Sequence, residues 1–342
     1  MKDLTTQDKL FFFERHFFTL DGLWMIETEN KLDWDTALEI DLNVWKKLLT
    51  IIFRRIKKYL KIEGNSLNDL IKILTFRWAA EGWEYTVENL KKNEIRIEIR
   101  TCPYKSAMDR NPERHEKVPL ICNNMCRPFY KQIISEFNSG IKVERSNFMG
   151  LGDEICDFTI TTHNEKDSRE LRHDTIYSKN SIQDEDKLFY FEHNFRTLDG
   201  LWVIEIEEKI DFESALEIDL VVWQRLYEII IRRVKKYLGI KGDSLNDLTS
   251  ILYFMWTCEG NSPQIISQDE REVLIEGIKC PYVETMLRNP EKHKRVESIC
   301  SKMCVNYLKP ILRQFNPKIQ LKRSKFIGLG DNACDFLFTL EE

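Results

Sequence analysis

The chain has 342 residues, about twice a usual domain, with 42% apolar and 31% charged residues, so it can fill two cores and is not a disordered or low-complexity polymer. Its 51 Lys and Arg stand against 56 Asp and Glu, a net charge of −5 that leaves no basic surplus for nucleic acid or an anionic membrane surface. No apolar run approaches a bilayer span. The Met1-Lys2-Asp3-Leu4 start has neither the apolar stretch nor the cleavage site of a secretory signal, so a cytoplasmic protein is expected.

Taken in chain order, the first element is a helix over about 6–29. From Asp33 onward Leu38, Trp45, Leu48, Ile52, Ile56 and Tyr59 step at helical spacing, which predicts an amphipathic helix capped by Asp33 and stopped by Gly64. A shorter helix over about 67–80 completes a helical half. Ile95, Ile97 and Ile99 then alternate with charged residues, the period of a half-buried strand. A helix over about 118–136 follows, flanked by strands near 141–147 and 155–162. The expected class is α+β, with a helical N-terminal half followed by a small antiparallel sheet and a crossing helix.

The whole plan then returns. Residues 8–162 match 186–340 without a gap at an offset of 178, and 42 of the 63 positions from Asp8 to Leu70 are identical. A unit of this length is a domain rather than a solenoid repeat. The expected organisation is a repeat over 1–162, a charged linker over 163–185 and a second repeat over 186–342, a pseudo-dimer within one monomeric chain. Near 261–268 Asn261 and Pro263 replace Trp83 and Tyr85, which predicts a shorter or edge strand there.

Eight of the nine cysteines form two equivalent sets, Cys102, Cys122, Cys126 and Cys156, then Cys280, Cys300, Cys304 and Cys334. Cys122 and Cys126 lie one helical turn apart, while Cys102 and Cys156 sit at strand ends. Three elements can thus bring four thiols together for zinc or an iron–sulfur cluster. The same residues also read as small buried hydrophobes, or as a nucleophilic thiol. Cys258 stands where the first repeat has Ala80 and reads as core.

Other polar residues recur around them. Arg110-Asn111-Pro112-Glu113 with His115 returns as Arg288-Asn289-Pro290-Glu291 with His293, making His115 and His293 candidate proton carriers, or parts of a solvated turn. Glu81 and Glu259 end helices where the dipole disfavours an acid, so each is a candidate for pocket chemistry or a plain surface glutamate. Gly150-Leu151-Gly152-Asp153 before Cys156-Asp157-Phe158 permits close backbone approach to a ligand or a hairpin turn. It lacks the Lys of a phosphate loop and the third Gly of a dinucleotide fingerprint.

Cys102-Pro103-Tyr104, Cys122 and the Gly turn into Cys156-Asp157-Phe158 together resemble the L-2-amino-thiazoline-4-carboxylic acid hydrolase family. Leu20-Asp21-Gly22-Leu23-Trp24 and Ala37-Leu38-Glu39-Ile40-Asp41 are similar to a related, largely uncharacterised family of anaerobe proteins. The resemblance covers nearly all of each repeat and implies hydrolytic opening of a small cyclic amidine or amide-like carboxylate. Cys126, close to where that family usually has an acid, and the duplication are departures. The Gly turn and its Cys are also similar to 4-vinyl-reductase-type domains, which implies a small-molecule sensor with zinc held by cysteines and a glutamate. The leading expectation is a zinc hydrolase in which Glu81 or His115, and Glu259 or His293, move protons and Arg110, Arg145, Arg288 or Arg323 holds a substrate carboxylate. A structural-zinc sensor and an iron–sulfur redox protein are the alternatives.

Overall fold

The computed structural model describes residues 4–163, 176–288 and 293–341. Asn289, Pro290 and Glu291 of the second Arg-Asn-Pro-Glu motif, and 164–175 of the linker, lie outside them. Helices α1 (Thr6–Lys31), α2 (Trp34–Tyr59) and α3 (Leu67–Glu81) lead into strands β1 (Glu84–Lys91) and β2 (Glu94–Thr101). Short helices α4 (Pro103–Asp109), α5 (Pro112–His115) and α6 (Val118–Ile121) are followed by a π-helical turn (Cys122–Cys126), α7 (Arg127–Phe137), β3 (Ile141–Glu144) and β4 (Cys156–Thr162). The second repeat gives α8 (Asp184–Lys209), α9 (Phe212–Tyr237), α10 (Leu245–Glu259), β5 (Pro263–Gln268), β6 (Glu272–Gly277), α11 (Pro281–Leu287) and α12 (His293–Ser298). A π-helical turn (Ile299–Met303), α13 (Cys304–Asn306), α14 (Leu308–Phe315), β7 (Ile319–Lys322) and β8 (Cys334–Leu340) complete it. The α+β class expected from the pattern is the class observed, with two antiparallel four-stranded sheets ordered β1-β2-β4-β3 and β5-β6-β8-β7.

Local chemistry explains the element ends. Asp33 caps α2 by accepting from the Thr36 amide at 2.8 Å. Ser66 and Asp69 form a reciprocal capping box, and Gly82 closes α3 at φ +83°, a conformation that a side chain disfavours. Ile95, Ile97 and Ile99 are all buried, and Trp78 of α3 packs 5.3 Å from the Phe158 ring of β4. Strand β5 lies at its sheet's edge and is six residues long against eight for β1, as Pro263 requires. The single helix expected over 118–136 is interrupted at Cys122–Cys126 by the π turn, which repeats at Ile299–Met303 although only the first repeat has Pro128. Among the described residues no helix is long and apolar enough to cross a membrane.

The compact units are not the sequence repeats. One consists of Met1–Lys31 with Ile206–Glu342, and the other is Leu32–Glu205, so the repeats exchange their first helices. In the first of these, α1 docks antiparallel on α9: Phe11 stacks on Tyr237 at 3.9 Å, Tyr237 donates to Asp8, Arg233 donates to Thr19, and Arg225 pairs with Glu27. In the other, α8 docks on α2 through equivalent positions with one change of partner: Tyr59 stacks on Phe189 at 4.0 Å and donates to Asp186, Lys47 pairs with Glu205, and Arg55 donates to Asn194, at the place of His16 rather than Thr19.

Chain connectivity accounts for the exchange. For α1 to meet Tyr59, Arg55 and Lys47 of its own repeat in this register, Lys31 would lie beside the middle of α2. Trp34 would then be roughly 12 Å farther along the axis and about 9 Å across. The three Cα steps from Lys31 to Trp34 reach about 11 Å at most. A two-residue connection therefore hands each first helix to the other body.

Candidate functional site

The thiols gather where β2, α4, the π turn and the turn before β4 meet. Cys102 precedes Pro103 at the start of α4, Cys122 and Cys126 bound the π turn, and Cys156 opens β4. All nine cysteines are free. Gly150 approaches so closely that a Cβ there would stand 2.2 Å from the Cys122 sulfur, and at Gly328 it would stand 2.3 Å from that of Cys300. The glycine turn is thus neither a ligand loop nor a simple hairpin. It is a 3₁₀ turn, Met149–Leu151, laid against the thiols. Two acids hold it: Asp157 accepts from the Ser146 and Asn147 amides at 2.8 and 2.7 Å, and Asp153 from the Phe148 amide at 2.7 Å. Asp335 and Asp331 do the same in the second repeat.

That turn aims backbone donors at sulfur. The Met149 amide donates to the Cys156 sulfur at 3.2 Å, and Ile327 to Cys334 at 3.3 Å. Burial pushes the Cys122 thiol up to about 12, against the pull of the Gly150 amide, and raises Cys102 against the amides of Lys105 and Tyr104. A guanidinium completes the surroundings. Arg145 donates to the Cys126 sulfur at 3.4 Å and to the Asp157 carbonyl at 3.0 Å, with its charge 4.0 Å from the Phe158 ring centre and 4.4 Å from that of Phe148. Arg323 repeats this with the Asp335 carbonyl at 2.8 Å, Phe336 at 3.9 Å and Phe326 at 4.3 Å.

The second centre differs in one respect. Cys300 donates to Cys304, which lowers the Cys304 thiol, helped by Arg323, and raises that of Cys300. A neutral buried thiol needs neither amide donors nor a guanidinium, whereas a thiolate needs both. The amides and the guanidinium therefore favour thiolates, the form that binds soft cations, while burial holds Cys102, Cys122, Cys156, Cys280 and Cys334 toward the neutral thiol. Among the described residues, no group of three or more His, Cys, Asp or Glu side chains is placed to hold a metal ion.

The other sequence candidates lie elsewhere. Glu81 is fully buried, ion-paired with Arg77 at 3.0 Å, and accepts from Trp83 at 2.8 Å, from Tyr104 at 3.1 Å and from Tyr190. Arg77 also donates to the Tyr130 hydroxyl at 3.1 Å. Glu259, equally buried, accepts from Tyr227 at 3.1 Å on both oxygens and from Asn261 at 3.1 Å, with Met255 at the place of Arg77. His115, Arg110 and Arg288 are exposed, as is His293, whose ring nitrogen meets the Leu287 carbonyl at 2.8 Å. Arg145 and Arg323 are thus the two of the four arginines that reach the thiols. Sequence reasoning missed Asp153 and Asp157, whose only signal is their place beside Gly152 and Cys156.

A sequence model described as a family of unknown function (DUF6125) matches residues 6–140 and again 178–308. No curated protein and no solved structure matches the chain.

Proposed function

The chain belongs to the DUF6125 family, whose function is unknown, and from its thiol centres we propose a tandem metal-binding protein with one soft-metal site per repeat. Cys102, Cys122, Cys126 and Cys156 would hold one ion, and Cys280, Cys300, Cys304 and Cys334 the other. Zinc is the proposed ion and an iron–sulfur cluster the alternative. The observation that carries this reading is the convergence of the Met149 amide and the Arg145 guanidinium on sulfur, duplicated at Ile327 and Arg323. With such an ion bound, these cysteines would hold it as thiolates and the elements that carry them would be tied together. Arg145 and Arg323 offset part of the negative charge of a thiolate set.

A binding or sensing role is better supported than hydrolysis of a cyclic amidine or amide-like carboxylate. Hydrolysis requires a proton carrier beside the metal, yet Glu81 is committed to Arg77 and three further donors, and His115 and His293 face solvent.

The test is elemental analysis of the anaerobically purified full chain. About two ions per chain are expected, falling to about one in Cys126→Ser and in Cys304→Ser. Colourless protein indicates zinc, and absorbance near about 400 nm an iron–sulfur cluster. A metal-free chain in which both variants match the parent in stability overturns the proposal.

A further inference from the structure

The exchanged helices leave this chain with two ways of completing itself. Neither first helix can serve its own repeat, because the connections Leu32-Asp33 and Ile210-Asp211 are too short. Each must be received by a body of the other kind. Inside one chain the other repeat supplies that body, and a second copy of the chain supplies an identical one. We propose that two copies of this protein assemble by reciprocal helix exchange. The first repeat of each copy would complete the second repeat of its partner through the same α1–α9 and α8–α2 contacts.

The contact residues that would recur are already paired in the chain: Asp8, Phe11, Thr19 and Glu27 of α1 with Tyr237, Arg233 and Arg225. The α8 set is Asp186, Phe189, Asn194 and Glu205 with Tyr59, Arg55 and Lys47. No new interface has to be built, so the interaction free energy is that of the monomer and only the tether differs. Domain swapping of this kind is a low-cost route to dimers. The thirteen residues 163–175 between β4 and the segment that packs ahead of α8 can reach about 45 Å when extended. That segment travels with α8: Tyr177 accepts from Tyr85 at 2.6 Å, its amide donates to Thr75 at 3.3 Å, and Ile182 is buried.

Buried tyrosines decide which helix enters which body. At Glu81 one hydroxyl arrives from α8, on Tyr190, and Leu49 of α2 offers none. At Glu259 the hydroxyl arrives from α9, on Tyr227 at the place of Leu49, and α1 presents Phe12 at the place of Tyr190. An α1 helix docked beside Glu81 would withdraw a donor from a buried carboxylate, and an α8 helix beside Glu259 would press a second hydroxyl into a filled site. Such mismatches are the repulsive half of specificity. Assembly therefore pairs unlike repeats, and two copies are the smallest set in which every repeat is completed by a partner.

A tether of this kind gives an effective concentration of about millimolar, so dilute chains remain monomeric and concentrated refolding populates the dimer. Charge exchange tests this on the full chain. One version carries Arg225→Glu and the other Glu27→Arg. Alone, each places like charges together, and in a mixed pair both α1–α9 contacts regain opposite charges. Co-refolding the two is expected to yield a larger fraction of a species of twice the chain mass by light scattering than either yields alone at the same total concentration. In parallel, parent chains with two different tags are refolded together at high concentration, and refolded separately before mixing. Mixed-tag dimers are expected only from the first. Absence of mixed-tag and doubled-mass species in both experiments overturns the proposal, and the parent-chain arm decides alone if a variant fails to fold.

Discussion

His16 makes the unit containing α1 sensitive to acid. The imidazole is fully buried, with neither ring nitrogen in a hydrogen bond of good geometry, and burial together with the Arg233 and Arg15 charges lowers its pKa from 6.5 to about 3. A base with a depressed folded-state pKa supports stability above its unfolded value of about 6.5, and that support is lost as the pH falls toward 3. Linkage over this interval gives a loss of about 2 kcal/mol at pH 5 and about 3 kcal/mol at pH 4. The second repeat supplies the control. At the equivalent position Asn194 accepts from Arg55 at 2.7 Å and donates to the Tyr190 carbonyl at 2.6 Å. In His16→Asn the new side chain is expected to accept from Arg233 in the same way. Urea unfolding of parent and variant at pH 7 and pH 5 should show the gap between them shifting by about 2 kcal/mol in favour of the variant. Stability curves that stay parallel between these pH values refute the reasoning, because they mean that His16 is as easily protonated folded as unfolded.

Arg77→Met, which copies Met255, leaves Glu81 buried without its cation and should cost about 3–5 kcal/mol, read as faster hydrogen exchange along α3. Tyr190→Phe removes one donor to the same carboxylate and should cost about 1–3 kcal/mol by urea midpoint. Gly150→Ala drives a methyl into the Cys122 sulfur and toward a Val118 methyl 2.9 Å away, so about 1–3 kcal/mol of stability should be lost, together with the ion proposed for that centre. Gly22→Ala, in α1 with nothing within 4 Å, should instead stabilise by about 1 kcal/mol in thermal unfolding, and a destabilised protein would count against the open environment seen there.

Much of this molecule is written in local pattern. Helical spacing from Leu38 to Tyr59, the Asp33 and Ser66 caps, the alternation at Ile95, Ile97 and Ile99, and Pro263 at a sheet edge all act within a few residues of chain. A linear reading therefore recovers them. The internal repeat was equally plain, because identity at a fixed offset is a property of the string alone. The cysteine sets were visible as a recurrence, and their convergence was a consequence of which elements carry them.

What the string left open depends on partners far along the chain. Glu81 stands at a helix end in either a pocket or on the surface by sequence, and it becomes a buried ion pair because Tyr104, Tyr190 and Trp83 close over it. Asp153 and Asp157 look like turn residues, and their task of aiming amides at sulfur exists only once β3 and β4 are paired. The repeat boundaries follow from sequence identity, yet the compact units cross them, since the short connection at Leu32-Asp33 and the docking register on α9 act together. Sequence determined that one domain is used twice, and tertiary structure decided that neither copy is complete without the other's first helix.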